Sequence, residues 1–425
     1  MKSYHTAEQA SQYTVLTIRI NEMRTPIALS LALLILLAGC QRSPEPPVFS
    51  PRFVAVPAQG ESTSPRLNAG PGGELILSWM ESSDAGTALR FASFEDAAWG
   101  SPGRVVSGAE MFVNWADLPS VVPMGGDRLA AHWLQQSGDH SHAYDIAFSE
   151  SLDDGATWSD ALRPHRDGTA TQHGFVSLFG ANEATGLLWL DGRNTVNDVT
   201  DDPVASGMTL RAAMVRNGEA LDNEQMVDEL VCDCCQTDIA VTGHGAVAVY
   251  RDRSVDEIRD IAITRHLDGK WQPGRRVAED NWEMAGCPIN GPAIGADDSR
   301  VAVAWFTAAE KPTVRLSVSN DSGETFGPPI TIAQQDSIRR VDLVLLEDGD
   351  VAVSWLRSVA AGATIRVRRV SATGKLGQAH TVSDAPSQLS VPQMGLSGGY
   401  LVFAWAETGA AADRVVSARV EVASL

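Results

Sequence analysis

The chain is 425 residues long, with 53 acidic against 33 basic side chains, a formal net charge of −20 and 44% hydrophobic residues. Such a balance excludes nucleic acid and anionic membrane surfaces as electrostatic partners, and any anionic ligand needs a local basic pocket. The chain is long enough for a large core, and three of its five cysteines fall within residues 232–235.

At the N-terminus, Met23 begins a short basic start at Arg24, followed by an apolar run from Ile27 to Leu37 and then Leu37-Ala38-Gly39-Cys40. The run is too short to span a bilayer and fits the apolar region of a signal peptide. The last four residues resemble the lipobox of bacterial lipoproteins. That resemblance implies cleavage before Cys40, lipidation of Cys40 and loss of residues 1–39, with residues 1–22 an over-extended start. Gln41 then favours the outer membrane, so the expected location is the bacterial envelope, lipid-anchored. Residues 40–51 are proline-rich and read as a stiff extended tether.

From residue 52 to 425 the chain repeats. Alternating strands end in aromatic landmarks at Trp79, Trp133, Trp189, Tyr250, Trp305, Trp355 and Trp405, separated by 50 to 61 residues. A small-residue strand precedes each landmark and another alternating strand follows it, with Gly, Asp and Ser between them. Period-two alternation in units of about 50 residues predicts an all-β propeller of four-stranded blades. Seven landmarks predict seven blades, with six as the alternative. The last unit lacks a strand, and "RFVAVPA" near residue 52 is placed to supply it and close the ring. No amphipathic helix stands out.

Two turns share the pattern Ser-x-Asp-x-Gly-x-Thr-aromatic. They are Ser151, Asp153, Gly155 and Trp158 in "SLDDGATW", and Ser319, Asp321, Gly323 and Phe326 in "SNDSGETF". Short Asp and Ser side chains bond backbone groups in tight turns, and Gly supplies the required φ. The pattern resembles the Asp-box (BNR) of sialidase-type propellers, in which these residues are structural and lie away from the active site.

The sialidase resemblance implies an exo-glycosidase with arginines gripping a substrate carboxylate. The segment "YRDRSVDEIRD" supplies Arg251, Arg253, Arg259 and Glu257; Arg193 and Arg340 are further candidates, with His173 and Asn290 at starts of innermost strands. Asp117, Asp238 and Glu257 are the candidate catalytic carboxyls. The family's Arg-Ile-Pro segment is missing, and neither Tyr144 nor Tyr250 is placed as a nucleophile. The long acidic loop 190–207 suits a neutral, cationic or metal-bearing ligand. The leading expectation is therefore a sialidase-type glycoside hydrolase acting on envelope glycans. A non-catalytic glycan- or protein-binding propeller and a thiol- or metal-binding envelope protein stand beside it. The expected partners are a glycan or other small molecule at the propeller face and the membrane through the lipid, with the protein a monomer.

Cys232 and Cys287 each lie 18 residues before an aromatic landmark, so they occupy matching places in adjacent blades. Export favours disulfides, and one bond from Cys287 to Cys232, Cys234 or Cys235 is expected. No cofactor is required by that reading. A thiolate site for Zn or Cu, perhaps joined by Met284 or His173, is the competing one.

Overall fold

The computed structural model describes residues 47–425, apart from residues 85, 198–202, 217, 221–223, 361, 385, 389 and 410–411. The leader, Cys40 and the start of the tether lie outside the described residues. Residues 52–425 form seven antiparallel sheets of four or five strands. The innermost strands are Glu61–Ala69, Ser120–Gly125, His173–Ala181, Asp238–Thr242, Ala293–Asp297, Ile338–Leu345 and Gln393–Ser397. They surround a central channel of about 760 Å³. Each sheet is a blade, numbered here one to seven in that order.

The ring closes as the sequence suggests. Arg52–Val54 pairs antiparallel with Arg414–Glu421, the third strand of blade seven. The strand that begins the described fold thus completes the blade that ends it, leaving a three-residue outer strand as that sheet's edge.

Every aromatic landmark sits on the second strand of its blade, and all seven are buried. Their repeat follows from packing: seven apolar clusters fill the seven blade–blade junctions. Most landmarks also bond an acidic partner. The Trp189 indole donates to Asp191 at 2.8 Å, Trp305 to Asp280 at 2.7 Å and Trp405 to Glu407 at 3.0 Å. In blade four the Tyr250 hydroxyl donates to Asp228 at 2.6 Å. A buried polar ring atom needs such a partner.

The two Ser-x-Asp turns share one hydrogen-bond scheme. Ser151 Oγ accepts the Gly155 N–H at 2.8 Å, while Asp153 accepts the Thr157 N–H and hydroxyl at 2.8 and 2.6 Å. Ser319 and Asp321 do the same for Gly323 and Thr325, at 2.9, 2.8 and 2.5 Å. Gly155 and Gly323 have φ of +81° and +77°, where a side chain would be strained. Both turns follow a third strand, so alternating strand direction puts them at the end of the propeller opposite the starts of the innermost strands.

Replacing Trp189 with alanine removes a fully buried ring and leaves Asp191 short of a donor. The variant should lose about 3–5 kcal/mol of stability, read as a lower denaturation midpoint; an unchanged midpoint would contradict this packing role.

Candidate functional site

The innermost strands approach closely at the channel mouth, and polar side chains tie each to the next. Asp117, before the blade-two strand, accepts the Phe175 N–H of blade three at 2.7 Å and the Tyr144 hydroxyl at 3.1 Å. Asp238 of blade four accepts the Ile294 N–H of blade five at 2.9 Å. Asp342 of blade six accepts the Met394 N–H of blade seven at 2.6 Å. Asn290 fills the same role from blade five, accepting the Arg340 N–H at 2.9 Å. These side chains satisfy backbone donors that burial would otherwise leave unpaired. Burial pushes the Asp117 carboxyl up to about 7, despite the bonds from Phe175 and Tyr144. Burial, together with nearby Asp238, lifts Asp342 to about 7 as well. Asp238 is also raised by burial, and Arg66 at 3.7 Å opposes the shift.

The structure places Asp117, Asp238 and Asn290 as links between blades. Asp342 belongs with them and was not singled out in the sequence. Its segment "VDLVLL" matches "TDIAVTG" around Asp238, so the repeat itself carried the signal.

The candidate substrate arginines are occupied within the protein. Arg251 is buried; it donates to Asn290 O at 2.8 and 3.1 Å, to Arg259 O at 2.6 Å and to Phe306 O at 2.8 Å. Its guanidinium lies over Trp282 at 4.9 Å. Arg253 grips Glu257, and Arg259 bonds Glu257 at 2.8 Å. Burial raises the Glu257 pKa, but Arg253 and Arg259 hold it below the ordinary value overall. Arg193 is held by Asp191 through two contacts of 2.7 Å and by Glu224 at 2.8 Å. Arg340 differs. It is 7% exposed, its Nε and Nη1 are buried without a hydrogen-bond partner, and it lies over Trp115 at 5.2 Å. It sits in a bulge at the start of the blade-six strand with φ of +54°.

His173 and Arg193 belong to a separate buried network between blades two and three. His173 stacks on His165 with centroids 3.8 Å apart. Its Nε2 lies 3.1 Å from Asp167 and 3.8 Å from Asp191, and its Nδ1 lies 3.5 Å from Asp145. Burial lowers the His173 pKa, but Asp167, Asp191 and Asp145 outweigh it and raise it overall. His165, Asp145, Asp167 and Asp191 are spread over residues 145–191, and only folding brings them together.

The cysteines do converge. Cys232 Sγ is 3.4 Å from Cys235 Sγ and 3.9 Å from Cys234 Sγ. Cys287 comes from the adjacent blade and approaches Asp233 Oδ1 at 3.6 Å. None of the four sulfurs is bonded to another in the structure. The segment "CDCC" wraps its sulfurs inward against buried donors. The Arg259 guanidinium points at Cys232 Sγ at 3.2 Å, and the Asn290 N–H at Cys235 Sγ at 3.4 Å. Bonds from Cys234 and Cys235, with Arg251 and Arg259 nearby, hold the Cys232 thiol well below its usual pKa despite burial. Burial pushes Cys235 up to about 12. His173 is not among the His, Cys, Asp and Glu residues whose ligand atoms gather here.

The fold and site define a seven-bladed β-propeller with a partly buried cysteine cluster at its channel mouth. No family model matches the chain, and no curated protein sequence matches it. Among solved structures it is similar to a protein of unknown function from Dyadobacter fermentans, at 12% identity over 89% of this chain and 100% of that one, TM-score 0.49. The NanB sialidase from Streptococcus pneumoniae is similar at 10% identity over 88% and 71%, TM-score 0.45. AofleA from Arthrobotrys oligospora is similar at 12% over 79% and 91%, TM-score 0.44. These likenesses concern the fold alone.

The raised carboxyls give a pH prediction. Asp342 titrates near 3.8 when unfolded and at about 7 when folded, so the native state binds the extra proton between those values. Stability should therefore fall as pH rises from about 4 to 7. Asp342→Asn removes this titration, and its melting temperature should vary less with pH over that window than the wild type's. An identical slope in both proteins would refute the assignment.

Proposed function

We propose that the protein is a thiolate-centred metal-binding propeller of the bacterial envelope, tethered through Cys40, with the cysteine cluster as its working centre. The observation that carries this reading is the approach of the Cys232, Cys234 and Cys235 sulfurs to within 4.8 Å of one another at a buried site. Thiolates are soft ligands and select Cu(I) or Zn over hard cations. Arg259 beside Cys232 offsets the negative charge of ionised sulfurs, as a buried anion requires.

The exo-glycosidase reading has less support. A carboxylate clamp needs free guanidinium forks, and Arg251, Arg253, Arg259 and Arg193 spend theirs on internal partners. Asp117 and Asp238 are tied to backbone donors. What supports a sugar-binding or hydrolytic role is the propeller architecture, and architecture does not fix function.

Two measurements separate these readings. Full-length protein purified under reducing, anaerobic conditions should retain copper or zinc after desalting, and Cys232→Ser should lose at least half of it. Metal-free protein that takes up neither ion would remove the proposal. On a panel of fluorogenic glycosides, including a sialoside, the wild type should show no turnover; turnover abolished by Asp238→Asn would restore the hydrolase.

A further inference from the structure

The cysteine cluster is two ligand groups rather than one. Cys232, Cys234 and Cys235 form the first, and Asp233, Cys234 and Cys287 form the second; within each, the ligand atoms lie inside 4.8 Å of one another. Cys234 is common to both. The first group is buried at Cys232 and Cys235, whereas Cys287 is exposed. Arg259 Nη1 stands at the seam, 3.2 Å from Cys232 Sγ and 3.4 Å from Asp233 Oδ1.

From this geometry we propose a dinuclear Cu(I) site: an inner ion held by Cys232, Cys234 and Cys235, and an outer, exchangeable ion held by Cys234 and Cys287 beside Asp233, with Cys234 Sγ bridging the two. The proposal rests on the reading that the cluster is a metal centre, and adds the number, oxidation state and accessibility of the ions.

Two features favour this arrangement over one tetrahedral zinc. A structural zinc takes four ligands, whereas each group here gathers three ligand atoms, and soft thiolates suit Cu(I). The Cys287 sulfur falls in the second group, so a single four-sulfur cage would need rearrangement. Loading releases the thiol protons to solvent and changes no oxidation state.

The exposure of Cys287 assigns the outer ion to exchange. A copper-carrying partner or small chelate can reach its sulfur, while the inner ion is covered on the side of Arg251 and Asn290.

Anaerobic titration of the full-length reduced protein with Cu(I), against a chromogenic Cu(I) chelator, tests this. Two equivalents should bind, the second given up first as chelator rises, and X-ray absorption should show sulfur ligands with a copper–copper path. Cys287→Ala, at an exposed position, should keep one equivalent and lose the copper–copper path; Cys232→Ser should weaken the tighter step. A wild type that binds one Cu(I), or one zinc that Cys287→Ala abolishes, would overturn the dinuclear site while leaving a metal-binding propeller. Binding of neither ion would overturn both.

Discussion

The structure depends on satisfying backbone donors where seven innermost strands crowd around one channel. Strands splay outward from that axis, so a neighbouring blade cannot pair with them as another strand would. Side chains must bridge the gap instead. Asp117, Asp238 and Asp342 do so from blades two, four and six, and Asn290 from blade five. A carboxylate accepting a buried N–H is a strong bond in low dielectric. The same burial disfavours its charge, so these carboxyls titrate high.

That constraint moves the chemistry away from the strands and onto the loops that enter them. Residues 232–237 are such a loop. They are pinned by Cys232 N–H to Arg251 O at 3.0 Å, by the Gln236 amide to Ala116 O at 2.6 Å and by Thr237 to Ser177 at 2.7 Å. A loop bonded on three sides holds its sulfurs in place without help from a metal. Rigid scaffolds with function on their loops are common, and here the scaffold supplies Arg251 and Arg259 as fixed counter-charges.

The histidine network between blades two and three can be compared with the cysteine cluster in the same terms. His165 and His173 stack, and their nitrogens meet carboxylates at both edges. The ring planes face each other, and the ligand atoms of Asp145, His165 and His173, and of Asp167, His173 and Asp191, gather within 4.8 Å of one another. The network is closed by Arg163 and Arg193 and serves as a polar staple between blades. The cysteine cluster differs in carrying soft sulfur atoms.

The sequence by itself determined the propeller, because blade packing imposes a repeat that local pattern records: seven buried aromatics, alternating strands and two Ser-x-Asp turns. It also determined that Cys232 and Cys287 occupy equivalent places, since register within a repeat is a matter of counting. It placed Arg251, Arg253, Arg259 and Glu257 together, because they are neighbours in the chain. What only the tertiary structure decided is what those groups face. Arg251 turns to the carbonyls of Asn290 and Phe306, 39 and 55 residues away. Asp238 turns to a backbone donor 56 residues on. A side chain's role depends on which distant atoms desolvate and pair with it, and sequence proximity carries no record of that.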